Sequence, residues 1–485
     1  MTDIAFSAAT KLCAELAERR LGCAELLEHY LRRVDSFNDG INAIVVTDIE
    51  RARARAAAAD QALANGKSWG PLHGLPMTLK ESFDIEGLPT TWGVPDLKEN
   101  IASRNAVQVD RLLNAGAVIF GKTNVPLLLA DFQSYNEVYG TTNNPWDHGR
   151  TPGGSSGGSA AALASGMTGL EAGSDIGGAI RTPAHFCGVY GLKPTWAILP
   201  PRGHAMPGIL TPSDISVVGP LARSADDLDL ALSVMAGPDV LQAGGWSLDL
   251  PPARQRRLSD FRVAVWTDSE LCPVDAEVGD RIQQAVDAVA KSGAEIDDTA
   301  RPDIDFAEAH DIYRWLLYAV VTSRQPPEAV AAAKDRLAGL ADDDQTDGAI
   351  ATRASLGYHR DWLAANEART HMRYRWHQFF QDHDLLLCPI SVTAAFPHDQ
   401  SADGNARTLT VNGEPLPYFQ QLFWAGMTGV VYLPSVIAPI GRTPAGLPVG
   451  LQIVAPEYGE RTAIRFARLL AEAFGGFTPP PAYAG

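Results

Sequence analysis

The segment from Gly153 to Thr195 limits the fold more than any other part of the chain. It holds two glycine–serine runs, Gly153-Gly154-Ser155-Ser156-Gly157-Gly158-Ser159 and Gly173-Ser174-Asp175-Ile176-Gly177-Gly178-Ala179, joined by a stretch with Ala160, Ala161, Ala162 and Ala164. Residues this small let backbones approach closely, and glycine supplies turns that other residues resist. The alanines between the runs predict a tightly packed helix over 156–166 rather than a flexible linker. The chain therefore folds around a crowded turn–helix–turn in its interior.

The flanking segments predict the architecture. Leu12, Leu16, Leu26, Leu27, Tyr30 and Leu31 recur at helical spacing between Ser7 and about Phe37. Ala43 to Val46 is short, apolar and β-branched, as a buried strand would be, and Asp48 to Asn65 predicts a helix stopped at Gly66. Strands are expected at 75–79 and 117–120 with a helix at 106–115 between them. A helical zone is expected over about 306–380, then a strand at Leu385–Leu387, a loose segment from Pro397 to Gly413, and a strand at 447–453. This alternation predicts an α/β protein with a mixed, twisted, largely buried sheet covered by many helices. No repeat or long linker divides residues 1–485, so one domain is expected. Residues 1–70 would form its helical N-terminal part and about 240–420 a variable helical region shaping a pocket.

Forty Lys and Arg oppose 57 Asp and Glu, a formal net charge of −17. That balance argues against nucleic acid and anionic membrane surfaces as partners. It fits a protein acting on small molecules. The five cysteines show no CxxC pairing, so reduced thiols are expected. Met1 to Phe6 has neither a basic start nor an apolar run, and no apolar segment reaches the roughly 20 residues a bilayer span requires. A cytoplasmic location is therefore expected. No residue pattern requires a metal or other cofactor, and a homodimer is left open.

Two motifs mislead. Gly116 to Thr123 matches G-x-x-x-x-G-K-[ST], yet the residues between its glycines are strand-like, where a phosphate loop needs a flexible turn. Gly153 to Gly157 matches G-x-S-x-G, the elbow of an α/β-hydrolase. That assignment also needs an acid and a histidine downstream, and with 11 histidines a chance partner is easily found.

The longer pattern is specific. The two glycine–serine runs continue through Ile180-Arg181-Thr182-Pro183, Cys187-Gly188 and Gly191-Leu192-Lys193-Pro194-Thr195. They are accompanied by Gly74-Leu75-Pro76 ahead of Lys80, Gly121-Lys122-Thr123-Asn124, Asn144-Pro145-Trp146 and Leu447 to Gln452. Together these resemble the amidase signature family across most of the chain. The resemblance implies a Ser–cis-Ser–Lys triad with Lys80 as base and Ser155 as bridging serine. The nucleophile position falls at Ala179, 24 residues beyond Ser155, where serine is expected. It also implies an oxyanion hole from the backbone of Ile176, Gly177 and Gly178, with Leu129 and Gly154 near the substrate.

The chemistry explains these residue types. A serine hydroxyl attacks an amide only with a base beside it. An ammonium accepts no proton, so Lys80 must be neutral, and burial at the end of the apolar run Leu75 to Leu79 lowers its reference pKa of about 10.4. Ser155 would relay the proton. Backbone N–H groups at 176–179 would hold the developing oxyanion. Asp175 and Arg181 are expected to pair and brace this turn. Alanine at 179 keeps the N–H and removes the attack, so little or no hydrolysis is expected, whether the alanine is an engineered replacement or natural. Three functions follow: an amidase for a small, hydrophobic or aryl carboxamide, a glutaminase-like subunit of an amidotransferase that needs partner chains, or a ligand-binding pseudoenzyme. A histidine-dependent serine esterase is a fourth, more distant one.

Overall fold

Eight strands form the main sheet of the computed structural model, which describes residues 4–484. Met1 to Asp3, where the expected absence of a leader begins, lie outside the described residues. The strand order is Glu295–Asp297, Arg262–Val265, Leu385–Cys388, Pro448–Val454, Ser435–Arg442, Tyr190–Lys193, Val217–Ala222 and Glu171–Asp175. The first three strands run parallel and the remaining neighbours pair antiparallel, so the sheet is mixed. Glu171–Asp175, Tyr190–Lys193 and Val217–Ala222 are buried at every position. Helices on both faces account for this, including Gly157–Ala164 and Arg181–Cys187, whose residues are all buried.

A second sheet of three strands carries Lys80. Pro76–Lys80 lies parallel to Val118–Thr123, which pairs antiparallel with Ile44–Thr47. Here the phosphate-loop match dissolves: Val118–Thr123 is a buried strand, and Gly116 follows the helix Val107–Asn114. Two other expectations need correction. The N-terminal helix is two helices, Ala9–Ala17 and Cys23–Ile41, separated by a turn in which Arg19 has φ 58°. The supposedly loose segment before Gly413 contains the strand Thr408–Val411, hairpin-paired with Glu414–Pro417.

The helical zone resolves into Phe306–Val321, Pro327–Gly339, Asp347–Ser355 and His359–Asp382. Trp376 stacks on Phe380 and meets Phe306 edge-on, so this aromatic group is core rather than pocket wall. The short helix Leu422–Gly429 packs beneath the second glycine–serine run: a Cβ placed on Gly178 would lie 3.3 Å from the Ala425 methyl. All five cysteines are unpaired. No helix among the described residues is long and apolar enough to cross a membrane.

Candidate active site

Lys80 is the last residue of its strand and is fully buried. Alternation along the strand puts Thr78 and Lys80 on one face, towards the strand Glu171–Asp175. Three hydroxyls surround its amine: Nζ lies 2.6 Å from Ser155 Oγ, 2.9 Å from Ser174 Oγ and 3.0 Å from Ser156 Oγ. Burial pulls the Lys80 pKa down from 10.5 to about 7, against the opposing pull of Asp175 and Glu171. A neutral amine has two N–H donors and one lone pair. Ser156 directs its own hydroxyl to the Ser174 carbonyl at 3.3 Å, so it acts as an acceptor towards Lys80. The lone pair therefore falls to Ser155 or Ser174, and Ser155 is the nearer.

The first glycine–serine run delivers Ser155 through a cis Gly154–Ser155 peptide. Gly154 is required by space: a Cβ there would lie 2.4 Å from the Asp131 carbonyl oxygen and 2.7 Å from the Gln133 nitrogen. Ser155 is nearly buried, and Ser156 N–H donates to the Ala179 carbonyl at 3.0 Å. The two runs are thus joined main chain to main chain. Ala179 keeps 9% exposure, so the residue is not wholly sealed from solvent.

The turn 175–181 is organised by an ion pair. Arg181 Nη2 and Nε donate to the two Asp175 oxygens at 2.9 and 3.0 Å, and both side chains are wholly buried. Arg181 Nη1 also donates to the Ala425 carbonyl, Thr428 Oγ1 and Gln452 Oε1. Burial alone would raise the Asp175 carboxyl, but the guanidinium, Lys193 and backbone N–H donors hold it well below the usual range. Gly178 N–H donates to Asp175 Oδ1 at 2.8 Å, so this expected oxyanion donor is already engaged. The N–H groups of Gly177 and Ala179 have no acceptor among the described residues. Gly178, at φ 104°, serves as the bend that presents them. Ile176 contributes its carbonyl, which accepts from Tyr313 Oη at 3.1 Å.

Leu129 sits in a short 3-10 turn at φ 59° and is half-buried. Its loop reaches Gly154 two to four residues later, through the backbone of Asp131 and Gln133. No sequence pattern points to Tyr313, or to Leu422, whose Cδ2 would lie 3.0 Å from a Cβ on Gly177. Nor does any single out Glu171, a fully buried carboxyl that accepts from Thr78 Oγ1 at 2.5 Å and is pushed up to about 8 by burial.

The α/β scaffold thus holds a dry lysine ringed by serines beside a glycine turn with two unengaged N–H donors. The Amidase family model matches residues 25–464, and the chain belongs to that family. It is 32% identical over 490 residues to the A subunit of a glutamyl-tRNA(Gln) amidotransferase from Anaeromyxobacter sp. (strain K), covering 96% of each chain. It is 32% identical to an acylamidase of Rhodococcus erythropolis, covering 95% of this chain and 94% of that one. A structure of 6-aminohexanoate cyclic dimer hydrolase complexed with substrate aligns with a TM-score of 0.78 at 27% identity, covering 97% of this chain and 98% of that chain.

Proposed function

We propose that this site is built to hydrolyse a small, hydrophobic or aryl carboxamide, and that the chain as written binds such an amide without cleaving it. One observation carries the proposal: Lys80 Nζ lies 2.6 Å from Ser155 Oγ in a dry setting. Ser156 of the same run is tied to the Ala179 carbonyl. With a serine at 179, its proton would pass to Ser155 Oγ while Ser155 gives its own to neutral Lys80. The carbonyl carbon would be attacked as its oxygen takes on charge, facing the N–H groups of Gly177 and residue 179. Lys80 would return the proton, through Ser155, to the departing amine, and water would then release the acid. Without that hydroxyl the chain has the base and relay but nothing to activate.

Losing a hydrolase nucleophile lowers turnover by up to about 10⁶. Ala179→Ser is therefore expected to create ammonia or amine release from members of a carboxamide panel, with activity rising through about pH 7 as Lys80 deprotonates. No gain against any member, in a variant that folds normally, would leave only the ligand-binding function. The Anaeromyxobacter relative supports a second reading, a subunit that passes ammonia to partner chains. Co-purification of such partners with the untagged chain would favour it over a stand-alone amidase.

A further inference from the structure

The helix Phe306–Val321 bears a polar pair that none of the chemistry above uses. His310 is buried, yet neither Nδ1 nor Nε2 has a hydrogen-bond partner among the described residues. Four residues on, the buried Nε of Arg314 is also without a partner. Residues so spaced are neighbours on one helix face. Burial strips water from such groups, and a polar atom that regains no partner is costly. The other fully or nearly buried histidines do not share this state. His73 bonds Trp69 N–H and the Ala59 carbonyl, His185 bonds Gly450 N–H and the Thr393 carbonyl, and His204 bonds Ser82.

His310 lies beside a seam that leads to the glycine turn 176–179, with Arg314 one helical turn further on. Tyr313, on the same helix, reaches the Ile176 carbonyl, and Leu422 of the neighbouring helix abuts Gly177. Next to them His310 meets Phe423 edge-on at 5.6 Å. We propose that His310 and Arg314 receive a neutral hydrogen-bond acceptor, such as a second carbonyl oxygen, at the far end of an amide whose apolar middle lies along this seam. The proposal rests on the amidase reading above.

The charges select a neutral acceptor over a carboxylate. Arg314 Nη2 donates to Asp311 at 2.6 Å, Nη1 donates to the Gln345 carbonyl at 3.0 Å, and Asp347 lies 3.7 Å from Nη1. One guanidinium already faces two carboxylates. Burial, reinforced by Arg314, holds the His310 pKa down at about 4, so the ring adds no positive charge. The buried atoms left without a partner are the Arg314 Nε–H, a donor, and the two imidazole nitrogens, one a donor and one an acceptor.

Because the chain as written should not cleave its ligand, affinity is measurable directly by calorimetry. Straight-chain diamides of increasing length are compared with the corresponding monoamides. At one length the diamide is expected to bind about tenfold tighter, the worth of one or two hydrogen bonds. His310→Phe should erase that preference and leave monoamide affinity intact, while His310→Gln should keep part of it. In the unmodified chain, the His310 ring nitrogen NMR shifts should move with that diamide and not with the monoamide. Equal binding of diamides and monoamides, or an unchanged preference in His310→Phe, overturns the proposal. If neither series binds, the amide-site reading fails and this one with it.

Discussion

The uncharged state of Lys80 can be tested without any turnover by replacing it with methionine in the chain as written. The folded pKa is about 7, against 10.5 as the ordinary value. Between those limits the unfolded chain carries the lysine proton and the folded chain does not. Stability of the parent must therefore rise with pH across that window, by about 1.4 kcal/mol per pH unit for one proton. Lys80→Met has no such group, so parent minus variant should climb by about 3 kcal/mol between about pH 7.5 and 9.5. The hydroxyls of Ser155, Ser156 and Ser174 lose a partner in the variant, but that loss shifts the whole curve and leaves its slope alone. Lys122 and Lys193 are also buried, with pKa values pulled down to about 8 and 7, and they remain in both chains and cancel. Urea unfolding followed by tryptophan fluorescence, at several pH values and constant ionic strength, supplies the curves. A difference that stays flat with pH would mean an amine that is charged, or solvated, in the folded protein, and the proton relay would have no base.

Two further tests address the groups around that amine. Asp175→Asn leaves Arg181 buried without its counter-charge and is expected to destabilise by about 3–5 kcal/mol, against little change for Asp303→Asn at an exposed site. Because the Asp175 carboxyl is held below the usual range, its contribution is present above about pH 4 and lost only in stronger acid, so the penalty should be constant from about pH 5 to 9 in urea titrations; a penalty that vanishes within that range contradicts the pairing. Glu171 behaves oppositely: its folded pKa of about 8, against 4.5, means the folded chain holds the extra proton, and parent stability falls as pH rises through that window. Glu171→Gln should accordingly gain on the parent between about pH 5 and 8, and equal differences at both ends would show that the carboxyl is ionised throughout.

The parts of the site legible in sequence are those carried by contiguous small residues. Gly154, Ser155 and the 175–181 turn stand together in the chain because their geometry is local, and the apolar run before Lys80 announces a buried strand. Tyr313, Leu422 and Glu171 are single residues in segments whose pattern reports only helix or strand. Their approach to the site is set by how distant elements pack, which periodicity does not encode. The separate role of Gly178 is hidden because a row of N–H groups looks alike in sequence, whereas folding turns one of them to Asp175. The unexpected hairpin does carry a signal: Asn412-Gly413 both adopt positive φ, 51° and 85°, as a tight two-residue turn demands. The N-terminal helix breaks at Arg19 to Gly22, where the apolar phase slips and Gly22 starts the second helix.

The hydrogen bond from Ser156 N–H to the Ala179 carbonyl fixes the spacing of the two runs through main-chain atoms alone. Whatever side chain stands at 179 inherits the same position and direction. On the proposed reading, a cutting tool and a holding tool on this scaffold differ by a single oxygen atom, and a single base change turns an alanine codon into a serine codon. Selection on the ligand's fate would then act through that one atom.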